Sequence, residues 1–311
     1  MSTLQHQALL YSSQDEFVDA ALPFVRKGVE AGEAVLLAVR ERNVAALREE
    51  LGRGAGEGDV RLLSVAEWYE NPARTRAKFG AWVSRRAGAD HVRLIGEPPW
   101  PLGSEAGVRE WARHEAVINI AMADLPLTFL CPYNTSELPD EVLEHAIRTH
   151  PEVVEGGEER PSQAYDDPHQ FCRKHAGSEL GHLGAPSAEL EIRRTRLNEL
   201  RRLVELEGRV AGLGRERLKN LIVAVNEVAT NALVHGARPA RLRIWQDRSE
   251  LVCEVTDAGG GMSDPLAGQL QPSGDSPGGF GLWITRMTAD ATEIISGADG
   301  TTVNIHTALA G

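Results

Sequence analysis

Glu227 and Asn231, in the stretch "VNEVATNALVHG", stand four residues apart. That is just over one helical turn, so an acid able to move a proton and an amide share one helix face. Taken alone, an acid and an amide at this spacing are a common solvated face, and downstream residues must change that. The apolar run "LVCEVTD" ends on Asp257 and is followed at once by "DAGGGM". A carboxylate at a strand end can face a ligand, while Gly259 and Gly261 allow turns that other residues cannot make. A second cluster, "SPGGFGLW", leads into a helix. There Gly279 and Gly281 let backbone N–H groups approach phosphates at a helix N-terminus, where the dipole favours an anion. "GADGTTVNI" adds a tight turn into a last strand.

The elements that must position these groups form two rhythms. Between residues 6 and 155, short apolar runs ("QALLY", "AVLLAV", "VRLLSV", "VRLIGE", "LTFLC") alternate with helical stretches expected over 15–31, 41–51, 72–87, 104–123 and 139–149. Strands buried on both faces and alternating with helices imply a parallel, doubly wound α/β domain. No G-x-x-x-x-G-K-[ST] phosphate loop occurs anywhere in the chain, so nucleotide hydrolysis is not expected of this half. The acidic, Pro- and Gly-containing "EGGEERPSQAYDDPHQ" and the later "GHLGAPS" suit a linker. Helices are then expected over 187–212 and 215–236 and near 281–290, with strands at "RLRIWQ", "LVCEVTD", "TEIISG" and "TTVNIHT". Helices first and strands later indicate an α+β domain. In the helix carrying the pair, Leu218, Leu221, Ile222, Val225, Ala229, Ala232 and Leu233 keep the spacing of a core-facing stripe, with Glu227 and Asn231 off it.

The bulk numbers bound the function. The 311 residues suffice for two domains, each with a core. With 42% hydrophobic and 25% charged residues the composition is globular, and a net charge of −12 argues against non-specific binding to nucleic acid or anionic membrane. No signal peptide and no membrane-length apolar run is apparent, and three scattered cysteines suit a reduced, cytoplasmic protein.

"NEVATN", "DAGGGM", "GGFGLW" and "GTT" resemble, in order and spacing, the N, G1, G2 and G3 boxes of the GHKL, or Bergerat-fold, ATPases, over residues 187–311. The resemblance implies ATP and Mg²⁺ as cofactors. Asn231 would ligate the Mg²⁺ that bridges the phosphates, and Glu227 would be the general base. Asp257 would accept a hydrogen bond from the adenine amino group, with Gly259 and Gly261 letting the base lie close to the backbone. Gly279, Gly281 and Leu282 would form the lid-to-helix junction over the phosphates, and Thr302 the second adenine contact. A sensor histidine kinase would carry a phosphoacceptor histidine upstream, yet residues 187–234 contain none. The segment is similar instead to the anti-sigma-factor serine/threonine kinases. Those proteins restrain a sigma factor, phosphorylate a STAS-type anti-anti-sigma antagonist and dimerise through this domain. The alternatives are a non-catalytic ATP-binding anti-sigma protein and an atypical histidine kinase.

"HQALLYSSQDEF", "GVEAGEAVLLAV", "VRLIGEPPW", "WARHEAVINIAM", "LCPYNTSELP" and "AIRTHPEVV" resemble the MEDS sensory domain, a module related in fold to RecA-like ATPases without their phosphate loop. His6, Glu97, Glu115 and Cys131 match these stretches and are candidates to line a sensory pocket, although a small buried thiol at a strand is ordinary. One constellation lies outside both families: His169, Cys172 and His175, with His182 beyond, have a spacing that could bind a metal, but a partly helical linker is the reading preferred there, and haem ligation at Cys131-Pro132 ranks below both. The domains expected are thus 1–156 (MEDS-like), 157–186 (linker) and 187–311 (ATPase), with the lid around 263–278 mobile before nucleotide arrives.

Overall fold

The computed structural model describes residues 4–52, 59–86, 91–180, 183–236, 239–272 and 279–309. The chain divides into two compact units: residues 1–102 with 111–171, and residues 103–110 with 172–311. In chain order the first unit has β1 (Gln5–Tyr11), α1 (Gln14–Glu30), β2 (Ala34–Val39), α2 (Glu41–Leu51), β3 (Val60–Ser64), α3 (Val65–Trp68), α4 (Pro72–Arg86) and β4 (Val92–Gly96). Then come α5 (Glu105–Ala121), whose first residues group with the second unit, β5 (Leu127–Asn134), α6 (Asp140–Thr149), β6 (Glu152–Glu155), β7 (Glu158–Pro161) and α7 (Pro168–Lys174). The sheet runs β3-β2-β4-β5-β1-β6-β7, parallel except for the β6–β7 hairpin.

Alternation along the strands feeds two different cores. Leu9, Tyr11, Val35, Leu37, Val39, Ile95 and Leu130 pack with Phe17, Ala21 and Val25 of α1 and Val44 and Leu47 of α2. His6 and Phe129 share the opposite face, their ring centroids 5.6 Å apart, and Phe129 meets Phe79 of α4 at 5.0 Å. Helices therefore cover both sheet faces, as the continuous apolar strands require.

The second unit has β8 (Ala188–Ile192), α8 (Leu197–Val210), α9 (Arg215–Val234), β9 (Ala240–Gln246), β10 (Glu250–Asp257), α10 (Phe280–Thr288), β11 (Ala291–Gly297) and β12 (Gly300–Ala308). Its sheet, β11-β12-β10-β9-β8, is antiparallel throughout. One core joins Leu200 and Val204 of α8 and Leu221, Ala224, Val225, Val228 and Ala229 of α9 to Leu242, Ile244, Val255 and Ile305. The stripe on α9 thus includes Ala224 and Val228, while Ile222 and Leu233 sit at its margin.

Two expectations are corrected. Residues 188–192 form an edge strand rather than the start of a helix, because Leu190 and Ile192 alternate into the core and pair with β9. The supposed linker carries β7 and α7, and its last part covers the second sheet face: Leu180 packs on Trp245 and Val252, and Trp245 Nε1 donates to Gly184 O at 3.0 Å.

Beside that apolar patch, the second face buries polar groups. His306 lies with Nδ1 3.1 Å from Glu250 and Nε2 3.4 Å from Glu293. Burial alone would lower its pKa, but hydrogen bonds and charge from the two carboxylates raise it to about 9. The stability it contributes is complete below the unfolded value of 6.5 and is lost as pH rises through about 9. Urea unfolding of the wild type is expected to show roughly 3 kcal/mol lost across this window. His306→Gln is expected to lack that slope.

Candidate functional site

Within the second unit a cavity of about 370 Å³ opens between α9, the ends of β10 and β12, and α10. That volume lies in the range of small-molecule sites. Val255 and Asp257 of β10 stand opposite Val303 and Thr301 of β12, and all four line it. Asn231, Gly259, Gly261, Gly279, Gly281 and Leu282 line it as well. Thr302 does not. Strand alternation turns it away, with the buried Asn304 and His306, so its neighbour Thr301 is the threonine facing the cavity.

One end is organised around Asp257. Its Oδ1 accepts from the Gly259 backbone N–H at 2.8 Å, leaving the other oxygen for a donor. The glycine that follows α9 has a tertiary reason. A Cβ on Gly236 would lie 2.5 Å from Asp257 Cγ and 2.6 Å from Ala232 O. Gly300, at φ 131°, passes so near that a Cβ would fall 2.0 Å from Asp257 O, and Gly261, at φ 74°, would meet Gly297 O at 2.3 Å. Only residues without a side chain let the backbone close around this carboxylate.

The other end joins α9 to α10. Gly279, at φ 86°, precedes the first turn of α10, which has no side-chain cap. Its first N–H groups are available to an anion. A Cβ on Gly281 would lie 2.9 Å from Asn231 Nδ2 and 3.3 Å from Glu227 Oε2, so the acid–amide pair abuts the start of α10. Glu227 itself is not among the lining residues. The described lining includes no lysine or arginine, and its charged groups are Asp257 and Asp264. An anion entering the described cavity would meet the backbone N–H groups of α10 rather than a cationic side chain.

The decisive observation is the match of residues 190–307 to the histidine kinase-like ATPase domain, alongside that of residues 5–151 to the MEDS (methanogen/methylotroph, DcmR sensory) domain. The chain joins a MEDS domain to a histidine kinase-like ATPase domain. No curated protein matches it. Among solved structures, the RsbU and RsbW domains of Rv1364c from Mycobacterium tuberculosis share 17% identity, with 40% of this chain and 33% of that one covered and a TM-score of 0.29. The blue-light activated histidine kinase EL346 of Erythrobacter litoralis shares 21% identity, with coverages of 39% and 42% and a TM-score of 0.25. The chain therefore spans less than half the length of either. The ATPase domain implies ATP as ligand, and its residues fit that ligand: a carboxylate with a free oxygen, apolar walls, and glycines where phosphates must come close. Residues 273–278 of the expected lid lie outside the described residues. Among the described residues no helix is long and apolar enough to cross a membrane.

In the MEDS domain, His6 on β1, Glu115 on α5 and Cys131 on β5 converge with His150, which follows α6. Glu97 is not with them. It is buried elsewhere, accepting from Tyr11 Oη at 3.0 Å, Arg40 N at 2.8 Å and Asn43 Nδ2 at 2.9 Å. Burial lowers His6 to about 4 and His150 to about 3, keeping both rings neutral, and raises Glu115 to about 7. His150 was missed, although it sits in "AIRTHPEVV", where the following proline marks a helix end. Cys131 faces three donors within 4.8 Å, which leaves no room for a haem. His169, Cys172 and His175 form no metal group among the described residues: His169 is exposed on α7 while Cys172 is buried. His182 lies outside the described residues.

Proposed function

We propose that this protein is a regulatory serine/threonine kinase of the anti-sigma type, with the MEDS domain as its input. The observation that carries the reading is the Glu227–Asn231 pair set against the N-terminus of α10, at the opposite end of the cavity from Asp257. Asp257 receives the adenine amino group, and Thr301, rather than Thr302, is positioned to make the second adenine contact. Gly279, Gly281 and Leu282 bring the first turn of α10 to the phosphates. Asn231 offers an amide oxygen to Mg²⁺, which supplies the positive charge that the lining side chains lack. Glu227 takes the proton from an acceptor hydroxyl as its oxygen bonds to the γ-phosphorus and the bond to the ADP oxygen breaks.

A serine or threonine acceptor on a second protein is supported by α8 and α9, which contain no histidine and pack on their own sheet. The partners proposed are a sigma factor and a STAS-type antagonist, with a homodimer formed through the ATPase domain in the cytoplasm. Incubation of the full chain with γ-labelled ATP, Mg²⁺ and STAS proteins tests this. The label is expected on the second protein as an acid-stable phosphate. Acid-labile label on the chain itself would replace this reading with the histidine kinase one.

A further inference from the structure

Among the four donors in the MEDS domain, Cys131 Sγ hydrogen-bonds Glu115 Oε2 and touches His6 Nε2, but the buried His150 Nε2 is left without a hydrogen-bond partner. Asn119 fixes the tautomer of His6. Its Nδ2 donates to Thr149 O at 2.8 Å and lies 3.2 Å from Ala116 O, so its Oδ1 must accept the Nδ1–H of His6 at 3.1 Å. His150 is fixed likewise, its Nδ1–H donating to Ala146 O at 2.8 Å, and its buried Nε2 has no hydrogen-bond partner. Both Nε2 lone pairs are thereby aimed inward, at a carboxylate and a sulfur. A histidine whose outer N–H is held by an amide or a backbone carbonyl is the ordinary arrangement of a metal ligand.

The spacing matches a coordination shell. His6 Nε2 and His150 Nε2 lie 3.4 and 3.5 Å from Glu115 Oε2, and Cys131 Sγ lies 3.5 Å from His6 Nε2 and 3.6 Å from Glu115 Oε2. All the donor atoms fall within 4.8 Å of one another. Tetrahedral bonds of about 2.0–2.3 Å to nitrogen, oxygen and sulfur put ligand atoms about 3.3–3.8 Å apart. The charges also close: a divalent ion with one thiolate and one carboxylate is neutral, which suits residues no more than 2% exposed. All four tetrahedral positions are taken by protein, so this is a closed site that ties β1, β5, α5 and the end of α6 together. It does not leave a position for substrate.

We infer that His6, Glu115, Cys131 and His150 bind one first-row divalent ion, with Zn²⁺ the best match to an N₂SO tetrahedron. Metal occupancy is then a state of the sensory domain, independent of whether the ATPase domain transfers phosphate. The test uses the full chain loaded with Zn²⁺ or Co²⁺. The expected result is about one Zn²⁺ per chain, with the Co²⁺ form showing tetrahedral visible bands and a thiolate charge-transfer band that Cys131→Ser removes. Asn119→Ala, which keeps all four ligands, is expected to weaken metal binding by about 10–100-fold. A wild-type chain folded by circular dichroism that takes up neither ion overturns the inference. So does a Co²⁺ thiolate band that survives in folded Cys131→Ser. If that variant does not fold, the wild-type Co²⁺ spectrum decides: a thiolate band supports the site, and its absence overturns it.

Discussion

The Glu227→Ala chain is expected to bind Mg-ATP as the wild type does, yet to transfer the γ-phosphoryl group about 10²–10⁴-fold more slowly. That is the usual worth of a positioned general base. The separation follows from position. Glu227 abuts Gly281 beside Asn231 but does not line the cavity, so its removal leaves the adenine end and the N-terminus of α10 as they are. It is only partly buried and belongs to no core cluster, so folding is expected to survive. Comparing labelled phosphate transfer with calorimetric ATP affinity for the same preparations checks both halves. Equal, measurable transfer rates in the two chains would remove the base assignment, and ATP binding with no transfer by either would leave a protein that uses ATP to set its conformation.

Asp257→Asn is expected to weaken ATP binding by about 5- to 150-fold while raising the relative affinity for GTP. The two side chains have nearly the same shape, so the Gly259 N–H can still be accepted and the clearance from Gly236 is kept. What changes is the outward group, from an acceptor to a donor. Against the adenine amino group this sets donor against donor, and an unpaired buried polar group costs about 1–3 kcal/mol. Guanine presents an oxygen at that position, which the new amide can meet. Calorimetry with both nucleotides reads the reversal, and an unchanged preference for ATP would take adenine away from Asp257.

What the sequence made legible was whatever is written locally. Glu227 and Asn231 share a face because helix geometry is fixed, and the glycines at 259, 261, 279 and 281 stand out because few other residues tolerate such turns. The α/β half was legible for a similar reason, since strands buried on both faces leave unbroken apolar runs. Long-range facts were not. The choice of Thr301 over Thr302 depends on the register between β10 and β12, where one residue reverses the face. Gly236 looks like a helix stop until Asp257, far along the chain, is found against it. Strand β8 hid in "AELEIRR" because glutamate, arginine and leucine favour helices, and five alternating residues are a weak signal beside that preference. His150 joined its cluster only because β6, which follows it, pairs beside β1; Glu97 left it because β4 ends beside Tyr11 and Arg40 instead.

The most direct test of the central claim is calorimetry of ATP with the full wild-type chain, with and without Mg²⁺. Because no lysine or arginine lines the described cavity, the cation is proposed to share the charge compensation with the backbone N–H groups of α10. Binding in the micromolar range, on the order of −8 kcal/mol, is expected with Mg²⁺, together with a loss of at least about tenfold when Mg²⁺ is withheld. A folded chain that takes up no ATP under either condition would contradict the account, and the proposed kinase activity would fall with it.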